Sequence, residues 1–161
     1  MQLKIFTIGV YGSDETSFFK ALTDNGIDMF CDIRLRRGMR GGTYAYVNST
    51  YLQNKLKLLG IKYVHYKELA PSIEIRNQQK EADKMEKVAK RSRQQLGDVF
   101  IKAYQHDVLE VVDLKSFIYS LAEAQNIVLF CVEREPEACH RSLVAQKLAR
   151  DLGLEVKHIV L

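Results

Sequence analysis

Cysteine is scarce in this 161-residue chain, at three residues: Cys31, Cys131 and Cys139. An odd number at such spacings builds no disulfide framework, which excludes a small domain stapled by bridges. Long apolar runs are lacking as well. None approaches the roughly 20 residues needed to cross a bilayer, so no membrane association is expected. The opening Met1-Gln-Leu-Lys-Ile-Phe6 has no basic segment leading into an apolar core, so no signal peptide is expected. With thiols read as reduced, these absences point to a cytoplasmic protein. Internal repeats, linkers and a second domain are also missing, which leaves one domain over residues 1–161.

What is present fits a globular chain. Hydrophobic residues make up 47% and charged residues 27%, enough to bury a core without a disulfide or metal staple. The net charge of +4 permits nucleic acid or another anion as partner, but local clustering says more than the sum. Nothing in the sequence specifies an oligomeric state.

Apolar runs alternate with helical patterns. Strands are expected over Leu3–Gly9, Met29–Ile33, Ile61–Tyr66, Asn126–Cys131 and Val156–Leu161. Helices are expected over Ser13–Asn25, Asn48–Leu59, Leu114–Ala124 and Ala138–Leu152, with glycines 26, 60 and 153 closing three of them. Arg76 to about Tyr104 is charged, mostly helical and expected to be solvated. The resulting βαβαβααβαβ order implies an α/β, Rossmann-like three-layer domain. Its five-stranded, mostly parallel sheet has helices on both faces and right-handed crossovers. Ligands in such sheets bind beyond the carboxyl ends of the strands, near a topological switch point. The residues that follow each strand are therefore the ones to weigh.

After the fourth strand comes Cys131-Val-Glu133-Arg-Glu-Pro136-Glu-Ala-Cys139-His140-Arg141. Pro136 suits a first helical turn, and Glu135 and Glu137 suit the positive end of a helix. His140 and Arg141 break the pattern, since a cation there is disfavoured by roughly 0.3–1 kcal/mol. Such local conflicts concentrate at functional sites. One reading is an anion site, with helix-start amides, Arg141 and His140 binding phosphate or carboxylate. Cys139 would then sit in a positive environment that makes a thiol reactive, and Glu133 would serve as general acid or base. The other reading is internal pairing of Arg141 with Glu133, Glu137 or Asp32, with Cys139 a small core residue.

Two templates fail here. A cysteine phosphatase cradle starting at Cys131 requires arginine at position 137, which is Glu137. A structural zinc site usually shows close Cys-x-x-Cys pairs and four ligands; Cys131, Cys139 and His140 do not match, so neither metal nor cofactor is expected.

Other features lie after other strands. Arg34-Leu-Arg-Arg-Gly-Met-Arg-Gly-Gly42 could grip phosphates, with Tyr44 and Tyr46 stacking on bases, or be a solvated loop. Asp32 could orient His140 or Arg141, or cap its loop. Lys80–Arg93 reads as a solvated face of mixed charge. Thr7 and Gly9 suit close backbone approach beneath the site, and Cys31 suits the core.

Three segments carry a family resemblance. Thr7-Ile-Gly9, Asp32-Ile-Arg34 and Cys131-x-Glu133-x-x-Pro136-x-x-Cys139-His140-Arg141 resemble the domain of unknown function 488 family, and His158 also fits. The resemblance covers nearly the whole chain. It implies a compact α/β fold, no established reaction, and a suspected link of some members to nucleic acid repair or processing. Two departures stand at the site edge: Val10-Tyr11 replaces a His-Ser pair, and Glu68–Ser72 replaces a Gly-Gly.

Three readings follow. In the first, an enzyme acts on an anionic, phosphate-bearing ligand, possibly a nucleotide or nucleic acid. Glu133, Cys139 and His140 do the chemistry there, and Arg141, Arg34, Asp32, Thr7, Gly9 and Cys131 form the binding site. In the second, the same residues make a non-catalytic anion- or nucleic-acid-binding module. In the third, the charges pair internally and the protein is structural.

Overall fold

The computed structural model describes residues 2–87, 94–121 and 123–161. Its centre is a sheet of five parallel strands: β1 (Lys4–Ile8), β2 (Met29–Asp32), β3 (Lys62–His65), β4 (Asn126–Phe130) and β5 (Glu155–Ile159). The spatial order is β3-β2-β4-β1-β5. β1 and β4 occupy the interior and are almost wholly buried after their first residue, as a parallel strand covered on both faces must be.

Helices α1 (Glu15–Asp24) and α2 (Ser49–Leu58) cover one face. Phe18, Phe19 and Leu22 of α1 and Leu52 and Leu56 of α2 pack there against Phe6, Ile8, Phe30, Val128 and Phe130. The other face is covered by α3 (Ile73–Met85), α4 (Asp98–Tyr104), α5 (Leu114–Ser120) and α6 (His140–Leu152). Ile75, Phe100, Tyr104, Phe117, Val144 and Leu148 meet Ile5, Cys31, Ile127 and Leu129. Alternate residues of each strand thus feed opposite cores, the period-2 rule of a pleated sheet.

Local chemistry sets the ends. Asp14 caps α1, accepting from the Ser17 amide at 2.7 Å, while the Ser17 hydroxyl accepts from the Asp14 amide. α6 ends at Gly153, whose φ of 65° is the left-handed conformation that glycine tolerates best. α6 begins two residues later than its apolar pattern suggested. Pro136–Ala138 instead form a separate 3₁₀ turn, and Cys139, in extended conformation, is the residue before the first helical turn.

The charged stretch from Arg76 departs most from expectation. Its helix starts earlier, at Ile73, with the Ser72 hydroxyl accepting from the Ile75 amide. It is not solvated all round: Ile75, Gln79 and Asp83 are buried, four residues apart on one face. Gln79 donates to Asp83 at 2.7 Å and accepts from the Gly97 amide at 2.8 Å, tying α3 to the approach to α4. The last part of the expected basic helix, 88–93, lies outside the described residues. Among the described residues, no helix is long and apolar enough to cross a membrane.

Candidate functional site

The chain leaves β2 by α2 towards β3 on one side, and leaves β4 by α6 towards β5 on the other. The carboxyl ends of these neighbouring strands therefore diverge, which makes the switch-point crevice where ligands of such folds bind. A cavity of about 390 Å³ occupies it. Arg34, Arg36 and Arg40 line it from the loop after β2, Cys131, Val132 and Glu133 from the loop after β4, and Cys139 and His140 from the start of α6. Arg76, Gln79 and Lys80 of α3 close the far side.

Arg34 is 3% exposed. Its Nε and one Nη make a two-pronged contact with Asp32 at 2.9 and 2.8 Å, and the same Nη donates to the Val47 carbonyl at 2.9 Å. The other, Nη1, is buried and has no hydrogen-bond partner. A guanidinium presents five donors in a fixed fork, and three are used here, so both N–H groups of Nη1 are left over. The plane of charge rests over the Phe130 ring, 4.8 Å from its centre. Asp32 thus orients Arg34, with Tyr63 donating to it at 2.8 Å; it forms no hydrogen bond or ion pair with His140 or Arg141.

Arg141 has a different place. It is 0% exposed and absent from the cavity wall. It donates to the main-chain carbonyls of Glu133 at 2.6 Å and Arg134 at 3.0 Å, while its Nε makes no hydrogen bond. The unfavourable cation at the helix start is therefore matched by carbonyls of the preceding loop, not by a carboxylate. Gly9 makes room for this clamp: a Cβ there would stand 1.8 Å from the Glu133 oxygen and 3.2 Å from Arg141 Nη1. Thr7 lies deeper, its hydroxyl 2.7 Å from His158 Nδ1 on β5.

The second cation, His140, is answered by sulfur. Its Nε2 is 2.9 Å from the Ile33 carbonyl. A carbonyl only accepts, so Nε2 carries the proton and Nδ1 faces the Cys139 Sγ at 3.7 Å. Burial alone pushes the Cys139 thiol up. The adjoining Cys131 thiol, the His140 imidazole and the Arg141 guanidinium overturn that and leave it well below the ordinary thiol value. Burial works against the His140 imidazolium, yet Cys139 and, beyond it, Glu133 raise it above the usual histidine value. Glu133, 5% exposed, accepts from Cys131 Sγ at 3.4 Å. Two thiols, an imidazole and a carboxylate thus share a cavity that Arg36, Arg40, Arg76 and Lys80 also line. Such a set can transfer protons, act as a nucleophile or hold a soft cation.

Residues 15–148 of the chain match the family described as domain of unknown function DUF488. The chain belongs to that family. Searches among curated proteins and solved structures found no match.

Both segments read from the sequence as departures from the family pattern touch the cavity. Tyr11, of the Val10-Tyr11 pair, lines it, as does Pro71 within Glu68–Ser72. The two tyrosines expected to stack on bases do not line it. Tyr46 is buried against Phe18 and Phe19, with its hydroxyl on Ser13. Tyr44 packs on Tyr11 and accepts from the Gly12 amide. Sequence reasoning missed Arg76 and Lys80 as cavity residues because the charged stretch reads as solvated, and the face that α3 buries, Ile75, Gln79 and Asp83, is too polar to give an apolar signal.

Proposed function

We propose that this DUF488 protein binds a phosphate-bearing anion in the switch-point cavity, a nucleotide or the phosphorylated end of a single nucleic acid strand. One observation carries the reading: Arg34, whose buried Nη1 has no hydrogen-bond partner, is among the residues that line the cavity. Burying a donor without a partner costs about 1–3 kcal/mol, more for a charged group, and a ligand oxygen removes that cost. Arg36, Arg40, Arg76 and Lys80 support it, since they line the same space and form no ion pair among the described residues. The volume sits at the small end of ligand pockets, which favours a mononucleotide-sized group over a duplex. Glu133 is the acid/base group of this reading, being the carboxylate in the wall beside the thiols. Free buried cysteines fit a reducing cytoplasm.

Calorimetric titration with pyrophosphate, nucleoside mono- and triphosphates and a 5′-phosphorylated oligonucleotide tests it. At least one should bind saturably. The Arg40→Gln/Arg76→Gln double variant, cut on two sides of the cavity, should lose at least about tenfold in affinity, since hydrogen bonds to charged groups contribute about 1.5–3 kcal/mol each. Glu133→Gln should keep binding and abolish any turnover of the bound ligand. Absence of saturable binding, or affinity indifferent to the double variant, overturns the reading. Tight binding with no turnover in either protein makes it a binding module.

A further inference from the structure

The thiol end of the cavity carries an arrangement that anion binding does not use. The ligand-capable atoms of Cys131, Cys139 and His140 all lie within 4.8 Å of one another, and all three residues are buried. The sequence spacing, seven residues between the cysteines, concealed this. The 3₁₀ turn at Pro136–Ala138 and the Arg141 clamp on the Glu133 and Arg134 carbonyls bend the loop until its two ends meet.

The distances suit a metal. Zinc bonds of about 2.3 Å to sulfur and 2.0–2.1 Å to nitrogen at a tetrahedral angle hold those two atoms ~3.5 Å apart; Cys139 Sγ and His140 Nδ1 are 3.7 Å apart. The histidine is set as a ligand is set. Its Nε2–H is fixed on the Ile33 carbonyl, which turns Nδ1 to the thiols, the outer-shell device that orients metal-bound imidazoles. A carboxylate oxygen of Glu133 lies 3.4 Å from Cys131 Sγ. Two sulfurs and an imidazole select a borderline-soft ion over magnesium or calcium.

We propose that Cys131, Cys139 and His140 bind one zinc ion, with the fourth position left to Glu133 or to a ligand in the cavity that all four residues line. The expectation that this chain carries no metal site rested on linear spacing, which the bent loop overrides. The inference stands independently of anion binding, and its readouts do not use a phosphate.

The test is metal analysis of the reduced full-length protein loaded with zinc and desalted, followed by exchange to cobalt(II). About one zinc per chain should remain. The cobalt form should show thiolate-to-cobalt charge transfer and the intense visible bands of tetrahedral coordination. Cys31→Ala, altering a cysteine in the core beneath the sheet edge, should leave that spectrum intact. Cys139→Ser and His140→Asn should each lower zinc affinity by more than the roughly 10–100-fold that loss of an outer-shell partner costs. Circular dichroism establishes that each variant is folded. Should neither fold, the wild-type and Cys31→Ala spectra decide alone. No retained zinc, an octahedral cobalt spectrum without charge transfer, or undiminished affinity in the folded variants overturns the proposal.

Discussion

Arginine is used in two opposite ways at the carboxyl edge of one sheet. Arg34 is held by a carboxylate and lines the cavity, while Arg141 spends its two Nη groups on main-chain carbonyls away from it; each keeps one buried nitrogen without a partner. The sequence made Arg141 conspicuous, because a cation in the first turn of a helix is a local conflict. It could not say how the conflict resolves, because a turn at Pro136–Ala138 decides whether position 141 faces the cavity or the loop beneath it. A residue-scale measurement separates the roles. Arg141→Met orphans the buried Glu133 carbonyl and the partly hydrated Arg134 carbonyl, so urea unfolding should show a loss of about 2–4 kcal/mol, from about 1–3 per orphaned group. Unchanged stability with lost anion binding would make Arg141 a ligand contact instead of a clamp.

Elements differ in how far they announced themselves. α1 and α6 were legible because their apolar stripes recur at helical spacing and end at glycine. β4 was legible as a continuous apolar run. α3 was not, because what it buries is largely polar: Gln79 and Asp83 satisfy each other and Gly97, and a hydropathy pattern does not register a satisfied polar face. The edge strand β3 was read correctly in place, but its part in the site was hidden, since Tyr63 reaches Asp32 on the neighbouring strand only through the sheet. That contact has a pH consequence. Burial first, then the Asp32 charge, push the Tyr63 phenol up to about 12 against the opposing Arg37 guanidinium. A phenol in the unfolded chain ionises near 10. The folded state therefore holds its proton more tightly, and the stability this adds is whole below about pH 10 and is lost as pH rises towards about 12. Denaturant unfolding across that range should show the decline in the wild type and a flatter profile in Tyr63→Phe. Equal slopes would mean that the phenol does not anchor Asp32.

At the scale of the molecule, the alternation of strands and helices dictated a three-layer fold, but not the β3-β2-β4-β1-β5 order. Strand neighbours are set by which apolar faces fit together across the whole sheet, and no local pattern encodes that. The order matters because it puts the switch point between β2 and β4, and so joins the arginines after one strand to the thiols and carboxylate after the other. Two loops that look unrelated in sequence become two walls of one cavity. A ligand bridging those walls binds only the folded chain, so its affinity must appear as stability. At 100 times its dissociation constant it adds about 2.7 kcal/mol, which for a chain of this size is a rise of roughly 5–10 °C in Tm. The ligand that titrates in calorimetry should produce this shift, and moderate salt should reduce it only in part, because Arg34 is buried and buried charges are screened far less than exposed ones. A shift abolished by physiological salt would place the anion on the exposed Arg36, Arg40 and Lys80 rim instead of against the guanidinium in the wall.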